Sequence, residues 1–293
     1  MLSNSKNNKP KPNKNSMFME IENDSFSLPD ELAEIEDIPY RNIPGGQLKT
    51  DIIFPKNNDG KLPIAVNVHG GALIFGDHKM ERRHRAELAK KGYLVYGLEY
   101  RLLNNANGIE EIDDICAGLA FVRKTAAKYG GDIDKVYIMG ESAGAFLSLY
   151  AAAAANSPKV RKAYGLKNPG IKVRGLACIS GMLYTSTSVP LGLVYTKDLY
   201  AERCRNEKFM RLTNPEHPVI MNALPPVFLT TSSGDFLRSM TKKYVKALEK
   251  SGHPNKFLYY DSKELKHGFP FLAPSLPESR EVLTELDKWL RAI

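Results

Sequence analysis

The chain has 293 residues, 43% hydrophobic and 25% charged, enough apolar material for a sizeable core and an ordinary charge content for a globular protein. No apolar run approaches the ~18 residues a membrane-spanning helix needs, and no apolar stretch follows the N-terminal lysines as a secretory leader requires. Half of the net charge of +8 comes from Lys6, Lys9, Lys11 and Lys14, and no basic stripe is interleaved with aromatics, which argues against nucleic acid as a partner.

In chain order, residues 1–16 hold Asn, Lys, Pro and Ser with almost nothing apolar, so they predict a disordered basic tail. Residues 17–293 then read as one α/β domain. The stretch 17–47 mixes short apolar and acidic pieces with three prolines and predicts one helix around 30–36. Apolar strands are expected at 48–54, 62–68 and 93–100. Between the second and third lie the loop His69-Gly70-Gly71-Ala72 and a basic, helical stretch carrying His78 and His84. Apolar residues at 109, 112, 115, 119, 122 and 126 mark one face of a helix over 109–129. A strand at 136–139 runs into Gly140-Glu141-Ser142-Ala143-Gly144 and then an alanine-rich helix. Further strands are expected at 173–180, 226–231 and 256–260, with helices at 240–251 and 278–292.

Strands alternating with helices predict a mostly parallel sheet covered on both faces. The exception is 181–224, rich in Tyr, Leu, Met and Pro. It reads as a lid insertion over the strand ends, where α/β folds bind ligands. Tyr184, Leu191, Leu193 and Tyr195 are expected to line a pocket or to form buried core. Cys116, Cys178 and Cys204 are scattered and odd in number, which predicts reduced thiols and a cytoplasmic location. With no HExxH or CxxC spacing, neither a metal nor another cofactor is expected.

The chemistry concentrates at G-x-S-x-G, residues 140–144. Side chains at Gly140 or Gly144 would collide with neighbouring backbone if Ser142 is forced outward on a tight strand-to-helix turn. Ser142 then sits at a helix N-terminus, which favours negative charge. The rival reading makes Ser142 a simple N-cap. Acyl transfer also needs donors for the oxyanion, and the N–H groups of Gly71, Ala72 and Ala143 are the candidates. A base and an acid are expected downstream of the serine. His267 follows the strand at 256–260, and Asp235 follows the strand at 226–231, with Asp261 as a second candidate for the acid.

These pieces resemble the hormone-sensitive-lipase-like branch of the α/β-hydrolase fold, whose members carry an HGGG-type motif. The matching segments are His69-Gly-Gly-Ala72, Glu99-Tyr-Arg-Leu102, Gly130-Gly-Asp-Ile-Asp134, Gly140-Glu-Ser-Ala-Gly144, Ser233-Gly-Asp235 and His267-Gly-Phe269. The resemblance implies Ser142 as nucleophile, His267 as base, Asp235 as its partner and an oxyanion hole at Gly71, Ala72 and Ala143. His69, Gly70, Gly140, Glu141 and Gly144 would support it. Two positions depart from the family: Ala72 replaces the third glycine, and Glu99 stands where Asp is more usual. Tyr100 and Arg101 are expected to be structural. The expected activity is hydrolysis of small carboxylic esters with short to medium acyl chains. The alternatives are an arylformamidase or carbohydrate acetyl esterase on the same residues, and a non-catalytic ligand-binding protein on a hydrolase scaffold.

Overall fold

The structure is a computed structural model that describes residues 19, 21–22, 26–58, 60–185 and 196–293. The basic tail, Leu191, Leu193 and Tyr195 lie outside the described residues. Eight strands form one sheet in the order β1-β2-β4-β3-β5-β6-β7-β8. They are β1 Leu32–Ile43, β2 Gly46–Pro55, β3 Leu62–Val68, β4 Leu94–Leu98, β5 Gly131–Glu141, β6 Val173–Ile179, β7 Val227–Ser232 and β8 Asn255–Tyr260. β1 and β2 run antiparallel to their neighbours, and every pairing from β4 to β8 is parallel. The parallel strands β3, β4, β6 and β7 are buried almost throughout, as expected for strands covered on both faces.

One face packs against α2 (Gly108–Thr125), α3 (Ala143–Asn156), α4 (Pro158–Tyr164) and the helix Arg238–Ser251. The other packs against α1 (Arg82–Lys90) and the closing helix Pro277–Ala292. α3 is buried at every residue from Ala143 to Ala155, and its run of five alanines lets a helix lie there. Because the strands are parallel, their C-terminal ends share one edge. There Val68 pairs with Gly140, Glu141 with Ile179, and Ile179 with Thr230.

The expected helix at 30–36 is instead the first part of β1. Its acidic and apolar residues alternate along an edge strand that is half-exposed on both faces, so they lack the one-sided burial of a helix. The ladder to β2 breaks register between Ile35 and Ile38, with Asp37 at φ 56. That bulge and the edge position accommodate Pro39 within a strand. The helix expected over 109–129 ends at Thr125, and residues Ala126–Tyr129 tighten into a 3₁₀ turn closed by Gly130 at φ 78. β5 is longer than its apolar core, beginning at Gly131.

The described part of 181–224 folds into a 3₁₀ turn, Ala201–Arg205, and the short helices Glu207–Leu212 and Pro218–Met221. It is tied to the outer helices. Tyr150 donates to the Thr213 carbonyl at 2.6 Å, Tyr164 donates to that of Leu212 at 3.0 Å, and Phe209 meets the rings of Tyr164 and Tyr200 edge-on. Tyr184 is buried, with its hydroxyl donating to Glu216 at 2.7 Å.

Candidate active site

At the junction of β5 and α3, Ser142 has φ 53 and ψ −114, outside the regions L-residues ordinarily occupy. The bracketing glycines permit this by volume. A Cβ on Gly140 would overlap the Gly144 carbonyl group, and one on Gly144 would overlap the carbonyl oxygens of Val68 and His69. α3 thus starts in direct contact with the end of β3. The Ser142 side chain makes no capping hydrogen bond, so the N-cap reading of this serine has no geometric support. Its backbone is pinned instead. Its N–H donates to the Ile179 carbonyl, and its carbonyl accepts from Met182, both at 2.9 Å.

The loop after β3 is held against the same edge. Gly71 lies at φ 102, and Ala72 and Leu73 follow in the left-handed region at φ 52 and 66. The Gly71 carbonyl accepts from Ile74 at 3.0 Å and Phe75 at 3.1 Å. Among the described residues, no acceptor takes the N–H of Gly71, Ala72 or Ala143. Tyr100 pins the loop from beneath. Its hydroxyl lies 3.1 Å from the His69 carbonyl and 3.0 Å from that of Gly70, and its ring stacks on His69 at 4.3 Å. Burial lowers the His69 imidazole to about 4, and Nδ1 bonds the Gly70 carbonyl at 2.8 Å, so this ring is neutral loop structure. Arg101 is likewise structural, forked onto Asp114 through Nε at 2.8 Å and its terminal nitrogen at 3.0 Å.

Downstream, Asp235 and His267 meet. His267 Nδ1 lies 2.7 Å from Asp235 Oδ1, with both side chains buried. Asp235 also accepts from the Leu237 N–H at 2.8 Å and the Thr231 hydroxyl at 2.7 Å. Burial works to raise the Asp235 carboxyl, but the bonds from His267, Thr231 and Leu237 outweigh it and hold it below the usual range. Asp261, the second candidate, is exposed at the end of β8. The loops carrying the pair are stitched together by the Ser232 hydroxyl donating to the Leu265 carbonyl at 2.5 Å and by a bridge between Gly234 and Lys266. Gly268 N–H donates to the Ser180 hydroxyl at 3.2 Å, which ties the histidine loop to the end of β6 beside Ser142. Sequence reasoning missed Thr231 and Ser180. The small polar residues closing the apolar runs of β7 and β6 were the available signal.

Esterase B from Lactobacillus rhamnosis, solved with a C6-C4 inhibitor, superposes with a TM-score of 0.82 over 92% of this chain and 89% of that one. At 21% identity that likeness speaks for the fold. Residues 50–182 match the BD-FAE family model. The isoprenylcysteine alpha-carbonyl methylesterase ICME of Arabidopsis thaliana is 27% identical over 237 residues, 77% of this chain and 55% of that protein. Esterase LipQ of Mycobacterium tuberculosis is 30% identical over 136 residues, 45% of this chain and 32% of that protein. The chain has the α/β-hydrolase fold, and over residues 50–182 it is similar to the BD-FAE family. It spans about half the length of the plant relative and a third of the mycobacterial one.

Within this α/β-hydrolase, the motif's second residue does more than fill space. Glu141 is buried, and its Oε1 lies 3.1 Å from His267 Nε2. Burial lowers the His267 imidazole, but the charge of Glu141 and the Asp235 bond outweigh it, and the ring is raised to about 9. A second buried acid, Glu81, stands beyond the same loop, accepting from Asn67 Nδ2 at 2.7 Å and the Gly70 N–H at 3.4 Å. Burial and the negative charge of Glu141 raise the Glu81 carboxyl to about 8.

The other histidines serve packing or local bonds. His84 is buried in α1 and stacked on Phe271 at 3.6 Å. His78 precedes α1 rather than lying in it, and faces Asp37 at 3.1 Å and Asp51 and Glu99 at 3.5 Å. His217 accepts from the Val219 N–H, and His253 Nε2 lies 2.9 Å from the Pro225 carbonyl. Among the described residues, Glu34, Glu36 and Asp51 come close enough to share a cation, but Arg82 already holds Glu34 and Arg85 lies 3.6 Å from Asp51. No helix among the described residues is long and apolar enough to cross a membrane.

Proposed function

We propose that this protein is a serine hydrolase of small carboxylic esters. One observation carries the reading. A serine strained to φ 53 between strand and helix shares a sheet edge with a buried His267–Asp235 pair at 2.7 Å. In this reading Ser142 Oγ attacks the ester carbonyl and passes its proton to His267 Nε2. Asp235 holds the imidazole in the required tautomer and stabilises its charged form. The N–H groups of Gly71, Ala72 and Ala143 receive the oxyanion, and their freedom from other acceptors supports that role. The imidazolium gives its proton to the departing alcohol, and water activated by the same nitrogen then releases the acid.

The substrate we propose is a lipophilic ester. Phe236 tilts over the His267 ring at 4.4 Å, and Ile74 and Phe75 follow the oxyanion loop. These three remain 41%, 50% and 51% exposed, so apolar surface flanks both arms of the site. That surface suits a short or medium acyl chain better than a sugar acetate. Residues 181–224 would shape the pocket as a lid. A cytoplasmic location is part of the same proposal, supported by three cysteines that form no disulfide.

A p-nitrophenyl ester series, run beside acyl sugars and N-formyl arylamines, tests the reading. Wild type should prefer the esters, and Ser142→Ala should lose at least about 10⁴-fold in kcat. Equal hydrolysis by both proteins sinks the assignment. A binding-only protein would leave Ser142 unmodified by a fluorophosphonate probe.

A further inference from the structure

We propose that Glu141 is a positioning residue that fixes the orientation and charge of the His267 imidazole, which therefore works between two carboxylates. The proposal rests on the serine-hydrolase reading and goes beyond it. Asp235 Oδ1 is 2.7 Å from Nδ1, and Glu141 Oε1 is 3.1 Å from Nε2, the nitrogen that must take the serine proton. Glu141 is 2% exposed and cannot swing into solvent.

The site is built around this carboxylate. A Cβ on Gly70 would land on Glu141 Oε2, and a Cβ on Gly268 would lie 2.7 Å from Oε1. Gly70 belongs to the loop after β3, and Gly268 to the histidine loop. Both loops are therefore bare of side chains where they meet Glu141, which occupies the space between them. The carboxylate keeps its neighbours' spacing as well as facing the ring.

The remaining charged and titratable groups around the pair are few. His267 is faced by Asp235 from the end of β7 and Glu141 from the end of β5. Glu141 is faced by His267, by Glu81 from just before α1, and by Tyr100 from just after β4. Burial and the charge of Glu141 raise Glu81, so Glu81 is the member of the acid pair that keeps a proton near neutrality. The charge of Glu141 faces the ring from the side opposite Asp235 and acts to raise it. In the resting enzyme this holds His267 as imidazolium, and the base becomes free only as pH rises. When Ser142 yields its proton, the imidazolium reforms beside a fixed counter-charge.

The test compares wild type, Glu141→Gln and Glu141→Asp in p-nitrophenyl ester hydrolysis across pH 5–10. Glu141→Gln keeps the volume and removes the charge. Its acid limb in kcat/KM should move down by about one pH unit, because an opposite charge at this distance shifts a pKa by 1–3 units. Plateau kcat should fall about tenfold with KM unchanged. Glu141→Asp should recover part of the limb position. An unmoved limb in an active Glu141→Gln overturns the proposal. Proton NMR titration of the His267 ring covers a poorly folding variant. A midpoint near 9 in wild type supports the proposal, and one at or below 6.5 overturns it. The titration needs no turnover, so loss of the hydrolase reading, seen as no ester cleavage and no fluorophosphonate labelling, is distinguishable from loss of this one.

Discussion

Gly144 is required by volume, and that requirement can be measured. Its missing side chain lies over the Val68 and His69 carbonyl oxygens, backbone atoms at the end of a central strand that cannot yield as a flexible side chain would. Gly144→Ala must push α3 off the end of β3, and should cost about 3 kcal/mol of stability, the upper part of the range for overpacking a core. Urea denaturation measures it, and a loss under about 1 kcal/mol would show that the contact can relax. Individual residues were also the scale at which the sequence was most legible. Ser142, Gly140 and Gly144 were readable because a strained turn in close contact leaves a fixed spacing. Asp235 was preferred on strand order and Asp261 kept as its rival, since both follow apolar strands, and only the chain path decides which carboxylate reaches the imidazole. The approach of Glu141 to His267 was invisible for the same reason, because its partner lies far along the chain and spacing carries no record of it.

Elements whose ends are chemically marked were legible, and elements defined by their partners were not. α2 begins with a capping box. Asn107 Oδ1 accepts from Ile109 at 3.0 Å and Glu110 at 3.1 Å, while Glu110 reaches back to the Asn107 N–H at 2.8 Å. Asn107→Ala leaves those N–H groups without a side-chain acceptor and should cost about 1 kcal/mol in urea denaturation. Ester hydrolysis should persist, because the buried face of α2, with Ile112, Ile115, Leu119 and Val122, still packs on the sheet. A stability unchanged from wild type would mean that water satisfies those groups equally well. β1 shows the opposite case. Its acids and apolar residues look like a first helical turn until β2 is there to pair with, and its bulge at Asp37 hides the strand period. The 181–224 insertion is similar. Its described part takes shape from aromatic contacts with α3 and α4, so no local periodicity announces it.

For the whole molecule, the buried titratable groups set how stability changes with pH. His267 is raised to about 9, Glu81 to about 8 and Glu111 to about 9, the two acids chiefly by burial and the histidine by its carboxylates against burial. Each binds its proton more tightly in the folded chain than at its ordinary value of 6.5 or 4.5. Their contribution is complete below the ordinary value and is lost as pH rises through the folded one. His69 and His84 act in the other direction. Burial lowers them to about 4 and about 3, so their contribution is present above 6.5 and lost as pH falls. Between about 4.5 and 6.5 the two sets oppose each other. Above 6.5 His69 and His84 are neutral whether the chain is folded or not, and only the raised groups remain. Each one still protonated in the fold and not in the unfolded chain then weakens stability by about 1.4 kcal/mol per pH unit. Denaturant unfolding from pH 6 to 9 should therefore show stability falling above about 6.5 and proton uptake on folding near pH 7.5. Glu141→Gln should flatten part of that slope by lowering His267. A wild-type curve that is level or rising from 6.5 to 9 would contradict the placement of these three protons.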